Sequence, residues 1–444
     1  MVIYLPVHKT VRELDGKFFF ALKAAVKGFT VVIGRSGGVR NLLRRGPAGI
    51  FFDIRMNQSR VTVPKSNHQA IREMGHDIWL FDEEVTSLDD AQAYVKTQIS
   101  KEVVEKASKV LAWSDFHASL LKQISPSTEV FVTGHPRYDV YDPRVRGIYD
   151  RDASRHRKSF DKYVLISSSF GELAFGGQDA VDQKVKVNRS KGFLKDEADV
   201  RFFREKVAHR RNTLEAFMVD IVELARSHSK VNFVVRPHFT ETEAMWGPIL
   251  ESQLPNLHVV HDGPIASWIQ GSIGLIHHHC STALEAYLLG KQVVSYVPVE
   301  DSRFERFLPG AVSLTVRNFD DLSQSVVALQ NEESLVDHVA VASKISEYVN
   351  QASKLASDAI LELLEVRKAE MPRSSAETPQ EKIWSQQRWG RRSLYGLILG
   401  GADKDHISDR LVQRKRREMV RQDASLRGVV ARKVGSEVFV VSSR

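Results

Sequence analysis

The sequence predicts an α/β protein made of two parallel-sheet domains followed by a basic C-terminal extension. Three observations support this. Short β-rich runs alternate with helix-period segments in two successive series, a polar stretch separates the series, and the excess positive charge is confined to the end of the chain. A length of 444 residues suits two or three domains. With 42% apolar and 27% charged residues the composition is that of a globular protein, which excludes wholesale disorder, collagen and coiled coil.

In the first series the strands are expected at Val2 to Leu5, Thr30 to Ile33, Gly49 to Phe52, Asp77 to Phe81, Lys109 to Trp113 and Glu129 to Val132. Spaced apolar positions between them fit helices at Leu14 to Val26, Val39 to Leu43, Lys65 to Met74, Ala93 to Ala107 and Phe116 to Gln123. The charged stretch Tyr141 to Lys162 then interrupts the alternation. In the second series, strands are expected at Tyr163 to Ser167, Val231 to Arg236, Leu257 to His261, Ile273 to His277, Gln292 to Tyr296 and Ser313 to Val316, and one helical pattern from Leu335 to Lys368 closes the body. The domains are therefore drawn at 1–145, a linker at 146–162, 163–345, a closing helix at 346–372 and the extension at 373–444. Both series are Rossmann-like, and such sheets bind ligands outside the carboxyl ends of their strands, which places a ligand cleft between the two. Neither contains a GxGxxG fingerprint or a Walker A loop, which disfavours hydride transfer and P-loop ATP hydrolysis.

Cys280 is the only cysteine, so no internal disulfide forms and a reducing compartment fits. The start MVIYLPVHK has no secretory apolar region, and no weakly polar run approaches the roughly 20 residues that span a bilayer. A cytoplasmic chain is expected.

Several segments carry candidate chemistry. In Ile276-His277-His278-His279-Cys280-Ser281-Thr282-Ala283-Leu284-Glu285 a strand ends in polar residues and a helix begins at Ser281-Thr282. Free backbone N–H groups and the helix dipole make that junction suited to an anion, with Glu285 one turn further in toward ribose hydroxyls. The plainer reading is that Ser281 or Thr282 caps the helix and Glu285 completes a capping box. Strand alternation lets His277 and His279 converge while His278 points away, and without further Cys/His pairs at zinc spacing no metal is assigned; His279 is expected on phosphate. Val234-Val235-Arg236-Pro237-His238 ends another strand with a cation and an imidazole, both able to bind phosphate oxygens.

Together, VVRPH, HHHCSTALEAYLLGKQVVSY, GHDIWLFDEE and VTGHPRYD resemble bacterial surface carbohydrate biosynthesis proteins, which are similar to GT-B glycosyltransferases using CMP-activated acidic sugars such as the β-Kdo transferases, and more distantly to polyglycerol-phosphate transferases. The resemblance covers roughly residues 1–365. It implies a GT-B-like fold with the acceptor domain first and the nucleotide-sugar domain second. It places the CMP phosphate near Arg236, His238, Ser281 and Thr282, with Glu285 toward the ribose. Gly134-His135-Pro136-Arg137 departs from the Gly-Asn-Pro-Arg of the family, which leaves position 135 without an assigned role.

Sugar transfer needs a group that takes the acceptor hydroxyl's proton. Asp82-Glu83-Glu84 follows the fourth strand of the first series, and Glu84 is favoured over Glu83 as that base. Ser167-Ser168-Ser169-Phe170-Gly171-Glu172 ends the first strand of the second series; Ser168 and Ser169 could hold a phosphate or the donor carboxylate, and Glu172 is a further candidate carboxylate, or the segment is a plain turn. The loop Gly34-Arg35-Ser36-Gly37-Gly38 could bring an acceptor close to backbone. The reading requires no cofactor. Its expected partners are a CMP-activated donor, a glycan or lipid-linked glycan acceptor and, through the basic tail, peripheral contact with an anionic membrane, with no nucleic acid.

Residues 366–444 hold 18 Lys and Arg against 9 Asp and Glu, whereas the rest of the chain carries 45 basic and 46 acidic residues. The run Arg414 to Arg417 suits an anionic membrane, a nucleic acid or a polyanionic product, or else is a solvated helix face. The Trp384, Arg388, Trp389, Arg391, Arg392 cluster reads as an interfacial element or as a helix packed on the body.

Overall fold

The computed structural model describes residues 1–57, 67–83, 91–173, 178–190, 193–238, 240–349, 354–370 and 406–443. The chain forms two compact units, Met1–Ile148 with Ser346–Arg444, and Tyr149–Ile345. Each is a Rossmann-like α/β unit, the fold class expected.

In the first unit β1 (Val2–Val7), β2 (Thr30–Arg35), β3 (Gly49–Asp53), β4 (Asp77–Phe81), β5 (Lys109–Ala112) and β6 (Val130–Val132) run parallel in the order β2-β1-β3-β4-β5-β6. All six residues of β1 are buried, as a central strand covered on both faces requires. Helix α1 (Thr10–Val26) lies on one face, where Phe20 meets Phe52 edge-on with ring centroids 5.7 Å apart. Helices α2 (Ser36–Leu43) and α3 (Pro136–Asp139) follow β2 and β6.

The stretch 146–162, expected as a linker, is folded: a 3₁₀ turn, Arg146–Tyr149, leads directly into α4 (Asp150–Phe160). Ala153 and His156 of α4 are buried, and His156 stacks on Trp268 of α6 (Ile265–Gly271). In the second unit β7 (Tyr163–Ser167), β8 (Asn232–Arg236), β9 (Leu257–Val259), β10 (Gly274–His277), β11 (Val293–Tyr296) and β12 (Leu314–Val316) are all parallel, in the order β9-β8-β7-β10-β11-β12. This is the 3-2-1-4-5-6 order of a doubly wound sheet, with its switch point between β7 and β10. The 31-residue helix α5 (Glu197–Ser227) covers one face through Leu214, Phe217, Ile221 and Leu224. Helix α7 (Thr282–Leu288) follows β10.

The single closing helix expected from Leu335 to Lys368 is two helices, α8 (His338–Ile345) and α9 (Ala356–Glu370). The break occurs where the chain rejoins the first unit. There the Glu347 carbonyl accepts from Phe116 N–H at 3.0 Å, and Tyr348 packs on the Phe116 ring. Asp139 caps α9, accepting from the backbone N–H groups of Ala356 and Ser357, both at 2.8 Å. Residues 406–443 are folded as well. Helix α10 (Asp409–Gln422) precedes a hairpin of β13 (Val429–Gly435) and β14 (Val438–Ser443), and β14 pairs antiparallel with β2.

That hairpin corrects the expectation for the Gly34–Gly38 loop. A Cβ on Gly34 would lie 2.1 Å from the Glu437 carbonyl oxygen and one on Gly38 2.3 Å from a Val438 methyl, so the chain's own β14 occupies the close approach foreseen for an acceptor. Gly34→Ala must therefore push the hairpin off β2 or strain it, at a cost of about 1–3 kcal/mol. A lowered Tm with proteolytic release of the 406–443 module is the expected outcome; an unchanged Tm contradicts the assigned contact.

Candidate functional site

At the carboxyl end of the second sheet the register aligns Ser295, His277, Ser167 and Arg236 in one row across β11, β10, β7 and β8. All four are buried. The loops beyond it are tied together by Glu241, which accepts from Ser168 Oγ at 2.5 Å, Phe170 N–H at 2.6 Å and His238 N–H at 3.2 Å. Burial raises the Glu241 pKa, while the hydrogen bonds it accepts oppose the shift. Arg210 of α5, 4% exposed, donates to the Ser169 carbonyl at 2.5 Å and brings a cation under the same loops.

The three histidines take different partners, because β10 ends at His277. His277 Nε2 bonds Ser313 Oγ at 2.9 Å and its Nδ1 accepts from Cys280 N–H. His278 Nδ1 donates to the Tyr296 carbonyl at 3.0 Å, and the ring stacks on Phe170. His279 has φ 43°, a left-handed conformation rare for a residue with a Cβ, so it leaves the strand alternation, and its ring meets that of His278 edge-on with centroids 4.5 Å apart. Its Nδ1 accepts a long 3.4 Å bond from Arg306 N–H, which puts the ring proton on Nε2. That Nε2, in a residue 4% exposed, has no hydrogen-bond partner among the described residues. Burial, reinforced by the neighbouring His277, Arg210 and Arg306, pushes the imidazole down to about 3, so it is a neutral donor at pH 7.

Of the other residues expected to hold the donor, Arg236 has its guanidinium engaged by the carbonyls of Val260 at 2.7 Å and Gly263 at 2.9 Å and lying over Trp268. It therefore fixes the loop after β9 rather than presenting a free fork. Ser169 Oγ donates to the His278 carbonyl and Thr282 Oγ1 to Ser167 Oγ, both at 2.9 Å. His238 is half-buried with Nδ1 on Thr240. Ser281 occupies the N-cap position of α7, but its hydroxyl makes no cap bond. Glu285 is only 3% exposed. Glu172 lies in the short turn Gly171–Leu173 after β7.

In the first unit the ends of β1, β3 and β4 surround a cavity of about 240 Å³ lined by His8, Arg12, Glu13, Arg55, Asp82 and Glu83 among others. The centre of this site is a buried charge cluster. Lys17 Nζ lies 2.8 Å from Glu13, 2.7 Å from Glu83 and 2.9 Å from the Pro6 carbonyl. Glu13 also accepts from the N–H groups of His8 and Lys9, both at 2.9 Å. Glu83 lacks such backbone donors and has His135 Nε2 at 3.4 Å, with the His135 ring stacked on Phe81. The proton therefore belongs to Glu83. Burial pushes Glu83 up to about 7, helped by the Glu13 charge and opposed by Lys17. Burial acts the same way on Glu13, but Lys17 and the His8 N–H outweigh it and hold that carboxyl down at about 2.

Gly16 makes this cluster possible, because a Cβ there would lie 2.5 Å from the Pro136 carbonyl oxygen; without one, α1 approaches α3 and brings Glu13 and Lys17 beside His135. Of the carboxylates expected as base, Glu83 is at the cavity and Glu84 lies outside the described residues, as does the Trp384–Arg392 cluster. Glu13, Lys17, His135, Arg210 and Glu241 were not singled out from the sequence as site residues. A signal for the first two was present: an i,i+4 charged pair opening a helix that continues Phe18-Phe19-Phe20-Ala21-Leu22.

No family model matches the chain, and no curated protein matches it. Among solved structures the chain is similar to the UDP-GlcNAc 2-epimerase of Neisseria meningitidis bound to UDP-GlcNAc, at 13% identity over 82% of this chain and 100% of that one, with a TM-score of 0.49. It is similar to the UDP-GlcNAc 2-epimerase of Methanocaldococcus jannaschii in complex with UDP-GlcNAc and UDP, at 11% identity over 82% and 100%, with a TM-score of 0.48. A variant of the wall teichoic acid polymerase TagF gives 8% identity over 83% and 89%, with a TM-score of 0.49. These likenesses concern the course of the chain. Among the described residues no helix is long and apolar enough to cross a membrane, and no group of His, Cys, Asp and Glu could hold a metal ion.

The proton on Glu83 makes stability depend on pH. With a folded value of about 7 against an ordinary 4.5, the contribution of this group is complete below 4.5 and is lost as pH rises through 7. Glu13, held at about 2, contributes above 4.5 and loses its contribution as pH falls toward 2. Glu83→Gln mimics the protonated form and should gain on the wild type, on the order of 1 kcal/mol per pH unit, between pH 5 and about 7. Denaturant unfolding of both proteins across that range checks this; parallel curves would place the proton elsewhere.

Proposed function

We propose that the chain is a nucleotide-sugar-dependent glycosyltransferase of bacterial surface polysaccharide synthesis, moving an acidic sugar such as Kdo from a CMP donor to a glycan or lipid-linked glycan acceptor. One observation carries the reading: the His279 Nε2–H, a buried neutral donor in strained backbone at the switch point of a Rossmann sheet, with no protein acceptor among the described residues. A nucleotide phosphate is a ligand that such a donor suits. The Arg210 guanidinium adds positive potential there, and the Ser281 hydroxyl on the neighbouring loop makes no cap bond. Arg236 supports this site by holding the loop after β9.

In the proposed transfer the acceptor hydroxyl gives its proton to a carboxylate as its oxygen bonds the anomeric carbon. The bond from that carbon to the donor phosphate oxygen breaks, and CMP leaves with the electron pair. Glu83 suits the proton-accepting role because a group titrating near 7 is half deprotonated at neutral pH and can release the proton again. Polyol-phosphate transfer from a CDP donor and epimerisation of a sugar nucleotide are chemistries that the same architecture can host, so the nucleotide is the discriminating variable.

Isothermal titration of the purified protein with CMP, CDP, UDP and GDP, without added metal, tests the reading. Selective CMP binding is expected; selective UDP binding turns the assignment to an epimerase, selective CDP binding to polyol-phosphate transfer, and no binding removes it. His279→Ala should weaken the nucleotide about 10- to 100-fold, the loss of one hydrogen bond to a charged group. Glu83→Gln should leave nucleotide affinity unchanged and lower the turnover of CMP-Kdo by about 10²-fold or more.

A further inference from the structure

Helix α10 is divided along its length. Val412 and Met419 are 2% and 1% exposed, and Lys415, on the same side, is buried in an ion pair with Asp15 of α1. Gln413 and Arg416 turn toward the hairpin, donating to the carbonyls of Ala431 at 2.8 Å and Val429 at 2.6 Å. The remaining arginines, Arg410, Arg414, Arg417 and Arg421, follow one another at intervals of four, three and four residues and so form a single stripe. At the helical rise the stripe is about 16 Å long. Arg410, Arg417 and Arg421 are exposed, while Arg414 lies 3.9 Å from Glu418. Arg427 in the next turn and Arg432 and Lys433 on β13 are exposed too. Asp409 is the one exposed acid among the described residues of 406–443.

We propose that this arginine stripe docks the protein on an anionic phospholipid surface. The inference does not depend on which nucleotide the second unit takes. Guanidinium groups fork onto phosphate oxygens and are weakly hydrated, so a straight row of them suits a plane of phosphodiester head groups. The only Phe, Tyr or Trp of residues 406–443 is Phe439, 1% exposed, so the module offers no platform on which bases could stack. None of the exposed large hydrophobic residues falls within 406–443. The contact is consequently electrostatic, without an inserted apolar face, and reversible by salt.

Co-sedimentation of the full chain with vesicles of phosphatidylcholine alone, or containing about 30% phosphatidylglycerol, tests the proposal. The wild type is expected to bind only the anionic vesicles, and to be released at about 0.5 M NaCl, where the screening length is a few ångströms. The triple variant R410E/R417E/R421E should bind at least about 10-fold more weakly, and the matching triple lysine variant should retain most of the binding. Circular dichroism of the glutamate variant, with an unchanged Tm, keeps a folding defect from imitating the result. Equal binding by the wild type and the glutamate variant would overturn the proposal, since it would place the contact elsewhere in the chain. Retention of a DNA duplex without retention on anionic vesicles would overturn it in favour of nucleic acid.

Discussion

A single ammonium group, Lys17, holds two carboxylates inside the first unit, and the placement of several elements depends on it. The Pro6 carbonyl ties it to the end of β1, Glu13 to the first turns of its own helix, and Glu83 to the segment after β4. Three charges this deep tolerate little imbalance, because an unpaired charge loses its hydration without replacement. One ammonium neutralises one carboxylate, and the second must take a proton. The asymmetry follows from the backbone: Glu13 receives two N–H donors from the turn entering α1, and Glu83 receives none that the structure records. A proton that enters and leaves at neutral pH thus originates in a packing constraint, with the geometry of α1 deciding which carboxyl carries it.

In the second unit the polar groups lie where the sheet stops. Apolar side chains from α5 cover the strands up to their last residues, and Ser167, Arg236 and His277 terminate neighbouring strands in one register. Most of the hydrogen-bonding capacity there is internal. Glu241 gathers three donors, Arg236 braces a loop, and the serine and threonine hydroxyls bond each other or carbonyls. His279 stands out by contrast, since the chain accepts an unfavourable φ and a buried unanswered N–H at the same residue.

Much of this was legible in the sequence. The strand pattern located the twelve parallel strands of the described residues, because buried β-rich runs bounded by polar turns leave a strong local signal. The polar ends Ser168, Arg236, His238 and Ser281 were identifiable for the same reason, as departures from apolar runs. What each side chain bonds to was not legible. Arg236 reads as a free cation until the loop after β9 folds over it, and nothing in the sequence marks Glu241 before three separate N–H and O–H groups converge on it. His135 is some fifty residues from Glu83 in sequence and meets it only through the strand order. The closing helix was misjudged for a related reason: its apolar spacing continues across Ser346–Val349, but tertiary contacts with Phe116 override it.

The pairing of β14 with β2 also fixes a sequence of events. The first unit is discontinuous, with the whole second unit lying between its two parts. During synthesis β2 emerges early, yet the strand that covers its edge is made only after the second unit is complete. For that interval the nascent chain presents an open parallel-sheet edge, the feature that invites wrong pairing with other chains. The second unit, contiguous in sequence, is made within that interval. The vulnerable period of the protein's biogenesis is therefore set by how long β2 stays uncovered.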